Sequence, residues 1–140
     1  FGHIETDVEI VAHLFRLRDL QAETNGFDAF IALPFHSGNS MLDLPPVSAV
    51  KILKVIALSR IILSNVNHIK AYWVMLTPKL AEIAQFFGAD DLDGTIGEER
   101  VTHSANTISA VALSELDLRN LITNAGFLPI RRTSDYRVAS

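Results

Sequence analysis

The sequence predicts an α/β fold of about four strand–helix units with parallel strands. Three observations carry this: apolar runs that do not alternate, as in strands buried on both faces; helix caps placed directly after or before those runs; and connections of only a few residues. Strand and helix in strict succession imply parallel pairing through right-handed crossovers. A doubly wound sheet and half of a (β/α)8 barrel are both compatible with this order. A complete barrel needs roughly 250 residues, and the 140 residues here, 49% of them hydrophobic, supply one cored domain or about half a barrel.

Phe1-Gly2-His3-Ile4 reads as the exit of a strand whose body would precede it, so the chain is expected to be a fragment of a longer protein. Thr6-Asp7-Val8-Glu9 has the form of a capping box, with a hydroxyl at the cap and a carboxylate three residues on. Behind it Val8, Val11, Leu14, Phe15 and Leu17 recur at helical spacing, and Asn25-Gly26 suits the left-handed turn after an end near Thr24. Phe27 to Leu33 reads as a buried strand. A polar loop, His36-Ser37-Gly38-Asn39-Ser40, runs on through Pro45-Pro46 to a helix from about Ser48 to Leu63.

His68 to Leu76 is the next expected strand, followed by Thr77-Pro78 as cap and first helical position of a helix to Phe87, closed by Gly88. A short strand at Asp90 to Asp93 leads into Gly94-Thr95 and a short helix containing Glu98, Glu99 and Val101. Ser114 to Ala125, closed by Gly126, is the last helix, and Phe127 to Arg132 a final strand.

Composition excludes several classes. The net charge is −4 with scattered basic residues, which argues against a nucleic-acid surface. The longest apolar run, Val55 to Leu63, is broken by Ser59 and Arg60 and is too short to span a membrane. The chain has no cysteine, which reads as a reduced, cytoplasmic protein without disulfides and leaves no thiolate to hold an iron–sulfur cluster here. No nucleophile elbow, phosphate-binding glycine loop or paired-histidine metal motif is present.

In either α/β architecture ligands bind at the carboxyl ends of the strands. The expected exits hold His3 and Glu5, Phe35 and His36, Met75 to Thr77, and Asp93 to Thr95. His3 could bond a ligand or move a proton, or simply fix the strand exit. His36 stands beside a Gly/Ser/Asn loop, a context suited to binding. In Asp90-Asp91-Leu92-Asp93 only the alternate carboxylates Asp91 and Asp93 can converge, which fits recognition of a hydroxyl or amine better than metal ligation; a structural cap is the competing reading. Trp73, the only tryptophan, is expected mid-strand, as core or as the wall of a pocket for a flat ligand. His13 and His68 read as structural or exposed, and His103 follows the short helix.

Gly2-His3-Ile4-Glu5-Thr6, His13-Leu14, Leu17-Arg18-Asp19-Leu20-Gln21 and Thr24-Asn25-Gly26-Phe27 resemble the middle of the radical S-adenosylmethionine (SAM) enzymes of the futalosine menaquinone pathway. The most discriminating stretches are Ile69-Lys70-Ala71-Tyr72-Trp73-Val74-Met75-Leu76 and Gly88-Ala89-Asp90-Asp91-Leu92-Asp93-Gly94-Thr95, and the likeness covers nearly the whole chain. The resemblance implies that residues 1–140 form the C-terminal half of a radical SAM (β/α)8 barrel of the TIM type. It implies SAM and a [4Fe–4S] cluster as cofactors, the cluster held by a CxxxCxxC motif in the other half. It further implies addition of the 5′-deoxyadenosyl radical to 3-[(1-carboxyvinyl)oxy]benzoate, a step this half could not perform alone.

By matching position, the resemblance places His3, Ile4 and Phe35 against SAM and His36, Trp73, Asp91, Asp93 and Thr95 against the substrate; it assigns no proton donor. Asn25 stands where a glycine is usual and Ala32 where a proline is usual, and Ser104-Ala105-Asn106 departs from the His-Ala-Gly pattern after the acidic strand. Besides the pathway's cyclase-type members, a non-catalytic α/β binding module is the alternative. An uncovered edge of a buried-type strand invites pairing, so dimerisation through the open barrel edge is expected of this half in isolation.

Overall fold

The computed structural model describes residues 1–37, 44–94 and 112–139. The expected short helix at Glu98 to Val101, the substrate candidate Thr95 and His103 lie outside them.

Helix α1 spans Asp7–Thr24 and is capped as its sequence predicts: the Glu9 amide donates to Thr6 Oγ1, and Glu9 accepts from the Thr6 amide at 2.7 Å. Asn25 ends it at φ 47°, so the asparagine, not Gly26, adopts the left-handed turn. The buried face differs from the expected one. Ile10, Leu14 and Gln21 are buried with Leu17 packed beside them, whereas Val8 is 78% exposed and Phe15 half out. Both stripes have helical spacing, and the partner surface decides between them. Gln21 belongs to the buried one because its amide group ties α1 to two loops, donating to Phe27 O and Asn65 O and accepting from Phe27 N.

Strand β1, Ala29–Ile31, pairs in parallel with β2, His68–Lys70, in the register Ala29↔His68, Phe30↔Ile69, Ile31↔Lys70. Both expected strands shorten to three residues. The second, expected to continue to Leu76, turns instead into a one-turn helix α3 at Trp73–Leu76. Between the strands α2, Ala49–Ile62, starts at Ser48, whose Oγ accepts from the Lys51 amide. Its inner face is Ile52, Val55, Ile56 and Ser59, and the Ser59 hydroxyl is satisfied by Val55 O at 2.7 Å. Thr77 caps α4, Pro78–Ala84, with Pro78 at its first turn; a 3-10 turn, Gln85–Phe87, then ends at Gly88 with φ 100°. The last helix, α5, Glu115–Asn124, opens on the reciprocal pair Ser114 and Asp117 and is followed by Gly126 at φ 83°.

Two further segments extend the parallel arrangement. The Phe1 amine donates to Leu33 O at 2.9 Å and the Phe35 amide to Phe1 O at 2.7 Å, the exchange typical of a parallel neighbour opposite Pro34. On the other side Lys70 and Asp91 form a single parallel bridge, with Ala71 N donating to Asp91 O at 2.8 Å. The spatial order Phe1, β1, β2, Asp91 therefore follows the chain order, with helices on the crossovers. This is a mixed α/β arrangement with a small parallel sheet. The expected final strand at Phe127 to Arg132 is instead irregular and ends in one antiparallel bridge, Arg132↔Val138.

Ile69 is fully buried and shares the core with Ile52, Val55 and Ile56. Side chains alternate along a strand, so His68 and Lys70 face away from α2. The C-terminal residues occupy that second face, as described next. No described helix is long and apolar enough to cross a membrane.

Candidate functional site

At the carboxyl ends of the parallel segments each exit touches the next. His3 and Phe35 meet with ring centroids 4.7 Å apart, tilted at 55°. His36 Nε2 donates to Met75 O at 3.1 Å, which fixes that nitrogen as the protonated one. Trp73 Nε1 donates to Gly94 O at 3.4 Å. The histidine turn at the first exit is built locally. Gly2 sits at φ 87°, where a Cβ would come within 2.1 Å of Val47 Cγ2, and Glu5 reaches back to accept from the amides of Gly2 and His3. Burial pushes the Glu5 carboxyl up, but those amide bonds outweigh it and hold the group below its ordinary value.

His3, Phe35 and His36 are half-buried, so the rim offers two imidazoles and an aromatic ring to a ligand. Ile4, expected against SAM, is 81% exposed. Trp73 corrects the sequence reading most: it is the first residue of a helix, not mid-strand, and at 0% exposure it is core.

Asp91 and Asp93 do converge, although Asp93 at φ 62° lies outside strand geometry, and they converge on cations. Arg132 Nη2 lies 2.5 Å from Asp91 Oδ2 and 3.5 Å from Asp93 Oδ1; Lys70 Nζ lies 2.6 Å from Asp93 Oδ1 and 3.8 Å from Asp91 Oδ2. The Tyr136 hydroxyl donates to Asp91 Oδ2 at 2.8 Å, and the Asp93 amide donates to Asp91 Oδ1. Burial raises the Asp91 carboxyl, yet the bonds from Arg132, Tyr136 and the Asp93 amide bring it below the ordinary range. Tyr136 moves the opposite way: burial and its bond to the Asp91 carboxylate raise the phenol.

Asp90 points elsewhere. Its Oδ1 accepts from Arg60 at 2.5 Å and from the Ile69 amide at 2.8 Å, and its Oδ2 meets His68 Nδ1 at 2.8 Å. This is a structural clamp at the start of β2, the end of the sheet opposite the exits, where side chains serve stability. Among the described residues no group of three His, Asp or Glu is arranged to hold a metal ion.

Two clefts flank these features. One, of about 580 Å³, lies between Asp93, Arg132 and Tyr136 on one wall and Leu118, Ile122 and Ile130 on the other. The second, about 560 Å³, runs beside β1 between Phe1, Ile4, Ile10, His13, Phe30 and Leu33. Sequence reasoning missed Lys70, Arg132 and Tyr136. Alternation from the buried Ile69 could have pointed to Lys70, but nothing local in the sequence connects Arg132 or Tyr136 to Asp91, 41 and 45 residues away.

A family model described as the CofH/MqnC C-terminal region matches residues 24–140. The aminodeoxyfutalosine synthase of Thermus thermophilus is 39% identical over 142 residues, covering 98% of this chain and 38% of that enzyme. The enzyme of the same name from Streptomyces coelicolor is 37% identical, covering 99% and 39%. A 5-amino-6-(D-ribitylamino)uracil–L-tyrosine 4-hydroxyphenyl transferase of Methanococcus vannielii is 36% identical, covering 99% and 40%. The chain thus spans roughly two-fifths of the length of these curated relatives. A model that matches most of the chain, together with likeness running almost end to end, places it plainly: this chain belongs to the CofH/MqnC C-terminal region family.

Proposed function

We propose that this chain is the C-terminal part of an aminofutalosine (aminodeoxyfutalosine) synthase, a radical SAM transferase of menaquinone biosynthesis. The observation that carries the reading is the 39% identity to the Thermus synthase over 98% of the chain. The sequential parallel order of Phe1, β1, β2 and Asp91 supports it, because that order suits half of a (β/α)8 barrel. The chemistry supplied from outside these residues is reductive cleavage of SAM at a [4Fe–4S] cluster, with transfer of the adenosyl part to the enol ether of 3-[(1-carboxyvinyl)oxy]benzoate and loss of a carboxyl group to give 6-amino-6-deoxyfutalosine.

The residues present fit part of that requirement. With no cysteine in the sequence, the cluster ligands must come from elsewhere in the enzyme, and these residues alone are inactive. His3 and Phe35, in contact at the rim, offer a half-buried edge for the adenosine, with Ile4 beside them. His36, held by Met75 O, and Asp93 present polar groups to the second substrate, and Thr95 is assigned there by position. Their task is to orient two ligands and exclude water. Trp73 acts as the packed support under the rim rather than as a wall facing ligand, and Asp91 as the anchor of the network behind Asp93.

A related radical SAM enzyme, such as the dehypoxanthine futalosine cyclase of the same pathway, is the second reading, because the family description spans more than one enzyme and the Methanococcus transferase is 36% identical. A non-catalytic α/β binding module is the third. The deciding experiment reconstitutes the cluster in the complete polypeptide and incubates it with SAM, a reductant and 3-[(1-carboxyvinyl)oxy]benzoate. Mass-spectrometric detection of 6-amino-6-deoxyfutalosine is expected. SAM cleavage without that adduct would move the assignment to another member of the family, and no SAM cleavage at all would favour the binding module.

A further inference from the structure

The network on the second face of the sheet joins residues that no sequence feature connects. The described C-terminal residues leave α5, cross that face and fold back through the bridge Arg132↔Val138. Tyr136 lies on His68, and the Arg132 guanidinium sits 4.2 Å from the centre of the Tyr136 ring while reaching both Asp91 and Asp93. Arg132 is therefore held from three directions: by the Asp91 carboxylate, by the aromatic face and by Asp93. Lys70, on the same face of β2, reaches Asp93 from the other side.

The position of Asp93 is what makes this arrangement more than a fold clamp. Asp93 lies at φ 62°, a conformation that disfavours side chains larger than hydrogen, and it stands on the wall of the 580 Å³ cleft next to the exit residue Gly94. Both cationic contacts fall on Oδ1, so Oδ2 is outside the clamp. A hydrogen bond from Lys70 and an ion pair with Arg132 on the same oxygen restrain where that carboxylate lies.

We propose that Arg132 and Lys70 are positioning residues that aim the Asp93 carboxylate at a hydroxyl or amine donor of the bound substrate, with Tyr136 and Asp91 fixing Arg132. The C-terminal residues thereby complete the ligand site from behind. This rests on the reading that places Asp93 against the second substrate.

The test uses the complete polypeptide and calorimetric binding of 3-[(1-carboxyvinyl)oxy]benzoate. Arg132→Gln and Lys70→Gln should each weaken binding about tenfold or more, the scale set by misplacing a contact group. Arg132→Lys should restore part of the affinity. The double variant Arg132→Gln with Asp93→Asn should bind no more weakly than Asp93→Asn alone, because both changes remove one aimed carboxylate. Additive losses, or parental affinity in Arg132→Gln and Lys70→Gln, would overturn the positioning role. Parental affinity in Asp93→Asn would overturn it too, by removing Asp93 from the ligand. Failure of the unmutated protein to bind the benzoate would sink the synthase reading itself and is a separate outcome.

Discussion

The Tyr136 ring lies flat on the His68 imidazole, 4.1 Å between centroids and 9° from parallel, while its hydroxyl donates to Asp91. One side chain thus fastens the C-terminal residues to both β2 and the segment bridged to it. The two interactions separate by mutation. Tyr136→Phe keeps the stack and loses a hydrogen bond to a charged group, a loss of about 2 kcal/mol. His68→Ala loses the stack and the contact to Asp90, about 1–2 kcal/mol. Urea unfolding should show lower midpoints with unchanged slopes. Parental stability in Tyr136→Phe would mean that the hydroxyl bond to Asp91 contributes nothing net.

The same network sets a pH dependence with a definite sign. The folded Asp91 carboxyl lies below its ordinary value, because the bonds from Arg132, Tyr136 and the Asp93 amide outweigh burial. A depressed carboxylate contributes stability that is fully present above the unfolded pKa, about 3.9, and is lost as pH falls through the lower folded value. Stability measured from pH 6 to pH 2 should therefore fall less steeply in Asp91→Asn than in the parent. A variant that is destabilised at neutral pH but retains the parent's acid slope would show that another group carries the acid transition.

What the sequence disclosed divides by range. The caps at Thr6 and Thr77, the helix starts near Ser48 and Ser114 and the turn at Asn25-Gly26 were legible because each is set by neighbouring residues. The apolar stretch His68 to Leu76 was not resolved, because a short apolar run has no period to separate a strand from a buried helical turn. The exits could be named from chain order, and the structure does bring His3 to Phe35 and His36 to Met75. The partners of Asp91 could not, since Arg132 and Tyr136 are fixed by tertiary packing in a segment with no periodicity of its own.

Gly88 carries a second long-range dependence. It sits at φ 100°, and a Cβ there would lie 2.7 Å from Arg60 Cβ; its carbonyl accepts from Arg60 Nε at 2.8 Å, and the same guanidinium reaches Asp90. Gly88→Ala should cost about 2–4 kcal/mol, combining left-handed strain with overpacking. It should also loosen Asp90. Hydrogen exchange should then accelerate at the Ile69 amide, which donates to Asp90 Oδ1. Unchanged exchange at Ile69 alongside the stability loss would confine the effect to the turn.

Trp73 allows core and ligand wall to be told apart directly. Its ring is fully buried, and its Nε1 donates to Gly94 O at 3.4 Å. Because it is the only tryptophan among these 140 residues, a Trp73→Phe variant identifies its emission within the complete protein. That emission should be blue-shifted and resistant to acrylamide in the folded state. Trp73→Ala should cost about 4 kcal/mol, the usual penalty for emptying so large a buried site, and Trp73→Phe markedly less, since the ring volume is partly kept. Substrate should leave the Trp73 emission unquenched if the ring supports the rim from beneath. Saturable quenching by substrate would show that the indole face reaches the ligand, and would return Trp73 to the wall of the site.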